Sequence, residues 1–282
     1  MTRWLLRALA LAIISMLALG SGLSTVQAAE GDATLVPRYK LDQKPFRGVA
    51  LVTVNNRVVC TGFIVGPRKV VTAAHCLVRD AGGGDFRLKK RLVSKLRIYR
   101  AYSQVHDASA GLCRVSRAWA HAKFVKAGAK DRVFGSRAHD YAVLTTSDGC
   151  SFPKSAVLRL WATQPGEGEL RVGQAVRAAG YPADPRVSRM SGLNMWRTEG
   201  KVRPVQNDAR HLVFTGYVSM GMSGGPVWKT FNSGTSPCGR RHCVVGLVTE
   251  CEVNGNGLCK KGLSERLAVR ITPQVKQLIR KR

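Results

Sequence analysis

Apolar positions along this chain come in short, β-branched runs rather than in long helical stripes. Val49-Ala50-Leu51-Val52-Thr53-Val54, Val58-Val59-Cys60-Thr61-Gly62-Phe63-Ile64-Val65 and Val70-Val71-Thr72 follow one another, with Asn55-Asn56 and Gly66-Pro67 between them. Runs of this length punctuated by turn formers predict a β-meander. Further strands are expected over 95–99, 141–145, 170–179, 211–217, 227–229, 244–249 and 267–271. One helix is well signalled near the C-terminus. Thr272 can cap it, Pro273 suits its first position, and Val275, Leu278 and Ile279 form an apolar stripe. Arg280-Lys281-Arg282 then complement the dipole at its end. Many short strands with a single clear helix predict an all-β sandwich or barrel. Residues 29–45 show no period and read as a polar lead-in, and no internal repeat is visible.

A different kind of apolar run opens the chain. Arg3 and Arg7 flank the start of a stretch from Leu5 to Leu19, followed by small and polar residues and then Val26-Gln27-Ala28-Ala29. That is the order of a secretory signal, with the cut expected after Ala28. Ser15 and Gly20 interrupt the run, which is shorter than the ~20 residues of a spanning helix. No later stretch is longer, so export without an anchor, to the periplasm or the exterior, is expected. All eight cysteines fall in the mature part, and an even number in an exported chain predicts disulfides. There is no Cys-x-x-Cys pair and no clustered histidine, which argues against zinc.

Composition adds size and charge. With 282 residues, 45% of them hydrophobic, the chain can bury a substantial core and does not have the make-up of a disordered polycation. Its 45 Lys and Arg against 17 Asp and Glu give +28, which becomes +26 when Arg3 and Arg7 leave with the signal. Such a charge favours polyanionic partners but names neither a fold nor an activity. Export, and the lack of any aromatic-basic interleaving, argue against a dedicated nucleic-acid binder.

Three segments carry candidate chemistry. Val71-Thr72-Ala73-Ala74-His75-Cys76 is a strand that ends in small residues and presents a histidine. His139-Asp140-Tyr141-Ala142-Val143-Leu144 places an acid at the mouth of an apolar strand. Gly221-Met222-Ser223-Gly224-Gly225-Pro226 encloses a serine between glycines ahead of another strand. Singly, each has an ordinary structural explanation; together, in the chain order His, Asp, Ser, they form a more specific pattern.

On these motifs the chain resembles the chymotrypsin-like (trypsin-like) serine proteases from about Phe46 to the C-terminal helix. It looks closer to the bacterial secreted branch that includes glutamyl endopeptidases than to the digestive zymogens. The resemblance implies two packed antiparallel β-barrels, the first over about 46–155 and the second over about 165–271, with a C-terminal helix at 273–282. In front of them stand the signal (1–28) and the lead-in or short pro-segment (29–45). It also implies catalytic roles for His75, Asp140 and Ser223. A serine hydroxyl needs a base within hydrogen-bond reach, histidine suits both taking and returning a proton, and the buried acid fixes the imidazole tautomer. The backbone N–H groups of Gly221 and Ser223 would form the oxyanion hole, because such donors converge only where the chain turns tightly. A bridge between Cys60 and Cys76 matches the family pattern. Proximity suggests Cys238–Cys243 and Cys251–Cys259, leaving Cys113–Cys150. No metal or organic cofactor is implied, the substrate is a protein or peptide, and the chain is read as a monomer.

The chain also departs from the family. Met222 stands where the zymogen branch has an aspartate that pairs with a newly cut N-terminus, and no Ile-Val-Gly-Gly start is present. Tyr217 stands in place of the trypsin-type acid six positions before the serine. In the expected pocket, with Tyr217 and Thr249, Glu250 could attract a basic side chain or be an exposed loop acid. From Phe86 to Lys130 there are twelve Lys or Arg, including Arg87, Lys89, Lys90, Arg91, Lys95, Arg97 and Arg100, against Asp107 alone. This stretch reads as a solvated insertion or as a face for an anionic envelope polymer or membrane surface. The competing reading of the whole is a catalytically inactive, polyanion-binding protein on a protease scaffold.

Overall fold

The meander expected from residue 49 onward closes on itself. The computed structural model describes residues 33–80, 86–88, 93–103, 112–126, 137–164, 170–183, 192–205, 209–232, 236–250 and 266–282. The expected signal and the expected Cys251–Cys259 bridge lie outside them. After a short β1 (Ala33–Leu35) come β2 (Val49–Val54), β3 (Arg57–Gly66) and β4 (Lys69–Thr72). Next are a small hairpin of β5 (Val78–Asp80) and β6 (Phe86–Leu88), then β7 (Leu96–Arg100), β8 (Leu112–Ala120) and β9 (Ala142–Thr146). Pairing in the order β2-β3-β4-β9-β8-β7, with β7 returning to β2, closes an antiparallel barrel of six strands. The turn between β2 and β3 uses Asn55 and Asn56, both at positive φ, which asparagine tolerates and a tight hairpin requires.

A second barrel follows. Its strands are β10 (Arg159–Leu160), β11 (Ala175–Gly180), β12 (Trp196–Arg203), β13 (His211–Phe214), β14 (Pro226–Thr230), β15 (His242–Glu250) and β16 (Arg266–Arg270). The order β12-β11-β14-β15-β16-β13 closes where β13 pairs back to β12, while β10 runs parallel to β15. The fold is therefore two closed six-stranded antiparallel barrels, as the motifs implied. Phe63, Ile64, Val71, Ile98 and Leu144 fill the first, and Leu212, Phe214, Val227, Val245 and Ala268 the second.

Four details differ from the sequence expectation. Strands β8 and β12, and the short β5, β6 and β10, lie outside the expected runs. In β12 the inward positions are Thr198, Gly200 and Val202 and the outward ones are Glu199, Lys201 and Arg203, so the alternation is real but weakly apolar. The strand expected over 170–179 starts only at Ala175, because Gly173 at positive φ turns the chain first. The basic stretch from Phe86 to Lys130 is not one insertion, since β7 and β8 within it are barrel staves, and of its charged residues Arg97, Arg100, Arg114 and Arg117 lie on those strands. Lys89, Lys90 and Arg91 lie outside the described residues.

The fourth difference is the lead-in. β1 pairs antiparallel with β12, a short helix α1 (Arg38–Leu41) follows, and Val36, Leu41 and Phe46 are buried. Phe46 meets Trp228 of β14 edge-on at 6.0 Å. The first described residues thus pair with the second barrel before the chain builds the first. The C-terminus makes the opposite crossing. After a five-residue helix α2 (Ala122–Lys126) in the first half, the last helix α3 (Pro273–Lys281) buries Val275 and Ile279 in the cluster that contains the first barrel. The Lys69 Nζ donates to the Arg280 carbonyl at 2.7 Å, and the Arg282 guanidinium lies over the Trp119 ring. Thr272 caps α3 by accepting from the Val275 N–H at 3.3 Å. Disulfides join Cys60–Cys76, Cys113–Cys150 and Cys238–Cys243.

Candidate active site

Strand register brings the histidine and the aspartate together. β4 and β9 are antiparallel with Thr72 opposite Ala142, so the chain leaving β4 and the chain entering β9 lie side by side at one end of the barrel. His75 is on the helical turn Ala74–Cys76 just past β4, and Asp140 sits just before β9. The His75 backbone N–H donates to Asp140 Oδ1 at 2.8 Å, and Nδ1 is 2.7 Å from Oδ2. Both oxygens of this buried carboxylate therefore serve one residue. With Nδ1–H given to Asp140, the imidazole lone pair is on Nε2, on a side chain that is 33% exposed. The Cys60–Cys76 bridge ties the histidine turn to β3. Behind the aspartate, the His139 ring stacks on His121 at 4.3 Å and accepts from Arg210 of the second barrel at 3.1 Å.

The serine comes from the other barrel. The loop Gly221–Gly225 precedes β14, and the Thr61 N–H on β3 donates to the Ser223 carbonyl at 2.8 Å, across the barrel interface. Gly224 is at φ +82°, and a Cβ there would run into the Thr61 carbonyl, the Thr72 hydroxyl and Ala73. This close approach sets the serine loop on the segment that leads to His75. The Ser223 hydroxyl itself donates to the Thr249 carbonyl at 3.3 Å.

Peptide orientation decides where the backbone N–H groups aim. In a trans peptide N–H and C=O point in opposite directions. The Met220 carbonyl accepts the Ala183 N–H at 2.7 Å and the Met222 carbonyl accepts the Gly225 N–H at 2.9 Å. Both carbonyls are thus turned into the protein, leaving the N–H groups of Gly221 and Ser223 facing the other way. Among the described residues, neither of these two N–H groups has a partner. Gly221, at φ +85°, adopts a conformation that disfavours any side chain.

The expected pocket residues are placed less evenly. Thr249 is buried, and its hydroxyl donates to the Leu267 carbonyl at 3.2 Å. Tyr217 packs against the second-barrel core, and its N–H donates to the Thr198 hydroxyl at 2.8 Å. Glu250 pairs with Leu267 at the end of β15, and its side chain is outside the described ones. Two residues escaped the sequence reading. Arg266 is 7% exposed, on the face of β16 that also carries Ala268; burial holds its guanidinium below the usual value, and the Tyr217 phenol partly offsets this. Thr61, fully buried, makes two hydrogen bonds to the serine loop and accepts a third from the Tyr181 N–H. Neither belongs to a recognisable motif. Cys60, His75 and Cys76 have the spacing of metal ligands, but two of the three sulfur and nitrogen donors are joined as a disulfide and offer no thiolate.

Residues 60–233 match the family model described as the trypsin-like peptidase domain. No curated protein is matched by the chain in sequence. Among solved structures, that of a Glu endopeptidase in complex with MPD superposes with a TM-score of 0.63 at 17% identity, covering 90% of this chain and 97% of that one. At that identity the likeness is one of fold.

Proposed function

The chain belongs to the trypsin-like peptidase family, and on that premise we propose that it is a secreted or periplasmic serine endopeptidase using His75, Asp140 and Ser223. The observation that carries this reading is the joining of two half-sites. One barrel holds an imidazole oriented by a buried carboxylate, and the other holds a serine beside two backbone donors whose own carbonyls are held on the opposite side. Rotation of the Ser223 hydroxyl away from Thr249 directs its proton to His75 Nε2. The oxygen then attacks the peptide carbonyl while the imidazole takes the proton, and Asp140 stabilises the resulting imidazolium. The carbonyl oxygen becomes an oxyanion between the N–H groups of Gly221 and Ser223. Collapse breaks the C–N bond, with the proton passing from His75 to the departing amine. Water, activated by the same base, releases the acyl group and restores the hydroxyl.

An inactive scaffold would need a distorted oxyanion loop. The held carbonyls of Met220 and Met222 favour the active reading over that one. Ser223→Ala should abolish both peptide hydrolysis and covalent labelling by a fluorophosphonate; hydrolysis that persists in this variant would overturn the assignment.

A further inference from the structure

The middle peptide of the oxyanion loop is held from the opposite barrel. We propose that Thr61 is a positioning residue for the oxyanion hole, its hydroxyl acting as the latch that fixes the Gly221–Met222 peptide. The proposal rests on the serine-peptidase reading.

Three consecutive peptides set the two donors. The first, Met220–Gly221, is held by Ala183, and the third, Met222–Ser223, by Gly225 within the loop. The second has the Met222 N–H on the Ser219 carbonyl at 3.1 Å and the Gly221 carbonyl on the Thr61 hydroxyl at 2.7 Å. Gly221 must be glycine, since a Cβ would strike the Tyr181 carbonyl at this positive φ. Glycine, however, contributes no steric restraint on its own ψ. A rotation there would swing the N–H groups of Gly221 and Ser223 relative to each other, so the restraint has to come from outside. Thr61 supplies it across 160 residues of sequence.

Thr61 is itself immobilised. Its hydroxyl accepts the Tyr181 N–H at 2.9 Å while donating to Gly221, its N–H donates to the Ser223 carbonyl at 2.8 Å, and its carbonyl accepts the Thr72 hydroxyl at 2.7 Å. It also follows Cys60, whose disulfide partner Cys76 is next to His75. One residue thus references the oxyanion donors and the nucleophile to the barrel that carries the base. A β-branched side chain, with few χ1 options, suits a latch of this kind. Met222 cannot do the same by charge: it is uncharged and buried in the second-barrel core.

The test compares Thr61→Val, which keeps the shape and loses the hydroxyl, with Thr61→Ser, which keeps the hydroxyl, in the mature protein. Removing an oxyanion donor outright lowers turnover by ~10²–10³, so misaiming the donors should lower kcat by ~10- to 100-fold in Thr61→Val with KM little changed. Thr61→Ser should recover kcat to within about fivefold of wild type, a split that loss of packing alone would not produce. Unchanged kcat in Thr61→Val, an equal loss in Thr61→Ser, or a change confined to KM would overturn the proposal. Thr61→Ala serves as a second hydroxyl-free variant if Thr61→Val does not fold. Should wild type neither hydrolyse peptides nor react with fluorophosphonate, the serine-peptidase reading fails. The latch is then decided by backbone hydrogen exchange over 219–225. Faster exchange confined to that segment in the hydroxyl-free variant supports it, and unchanged exchange refutes it.

Discussion

Asp140 shows how much one atom can decide at the residue scale. Its two oxygens accept two different N–H groups of His75. Asn in its place can still accept the backbone N–H but presents an NH2 group to Nδ1, which forces the other tautomer. Asp140→Asn is therefore expected to keep the fold and lower kcat by about 10⁴, measured on a peptide substrate with circular dichroism as the folding control. At Arg266 the question is selectivity. The Arg266 guanidinium is buried and interacts with the phenol of Tyr217, the residue that stands in place of the trypsin-type acid. Like charges in a desolvated pocket repel, so a peptide library should show Lys and Arg disfavoured at the position before the cut. Arg266→Met should relax this discrimination by ~10-fold or more; an unchanged profile would remove Arg266 from the pocket. The triad candidates and Gly221 were legible in the sequence because a nucleophile, a base and a tight turn each demand particular residue types. Thr61 and Arg266 were not, because a threonine in a strand or an arginine at a strand end is commonplace until its neighbours are known.

Among the elements, pairing rather than local pattern builds the site. The Thr72–Ala142 register puts the ends of β4 and β9 together, and a shift of one residue would turn His75 and Asp140 to opposite faces. The Cys60–Cys76 bridge secures the histidine turn over a sequence separation of 16. Replacing both cysteines by alanine should lower stability by about 3 kcal/mol, seen as a reduced denaturant midpoint with the slope retained. Strands β2, β3 and β4 and the capped helix α3 were visible because their apolar positions follow the period of the element. β12 was hidden because its inward positions are Thr198, Gly200 and Val202, small or polar residues that fit a tight barrel interior without looking hydrophobic. The lead-in was hidden for another reason: β1 is three residues long, and its partner β12 lies more than 160 residues away in sequence.

At the scale of the whole molecule, part of the excess positive charge gathers around one histidine. Near His242 gather Arg241 and Arg177 of the second barrel and Lys44 of the lead-in, while Arg240, Arg159 and Arg47 in turn hold the Lys44 pKa down after burial. Burial first, then these cations, push His242 down to about 4. The unfolded chain takes up this proton near 6.5 and the folded one only near 4, so the neutral imidazole supports the fold above about pH 6.5 and that support is lost as pH falls toward 4. The melting temperature should fall through this window, and His242→Gln should flatten the slope; an unaltered slope would rule His242 out as its source. β1 and α3 cross in opposite senses, β1 onto the second barrel and α3 onto the first, so each barrel is clasped by a segment from beyond the other. By itself the sequence determined the all-β class and offered His75, Asp140 and Ser223 as candidates, since local periodicity and residue chemistry are written residue by residue, while the two barrels and the Cys60–Cys76 pair came through the family resemblance that its motifs carry. Only the tertiary structure decided that Thr61 reaches the serine loop, that Arg266 is buried in the second barrel, and that β1 and the last helix pack on opposite barrels. Those are contacts between segments far apart in the chain, and they exist only once the strands have found their register.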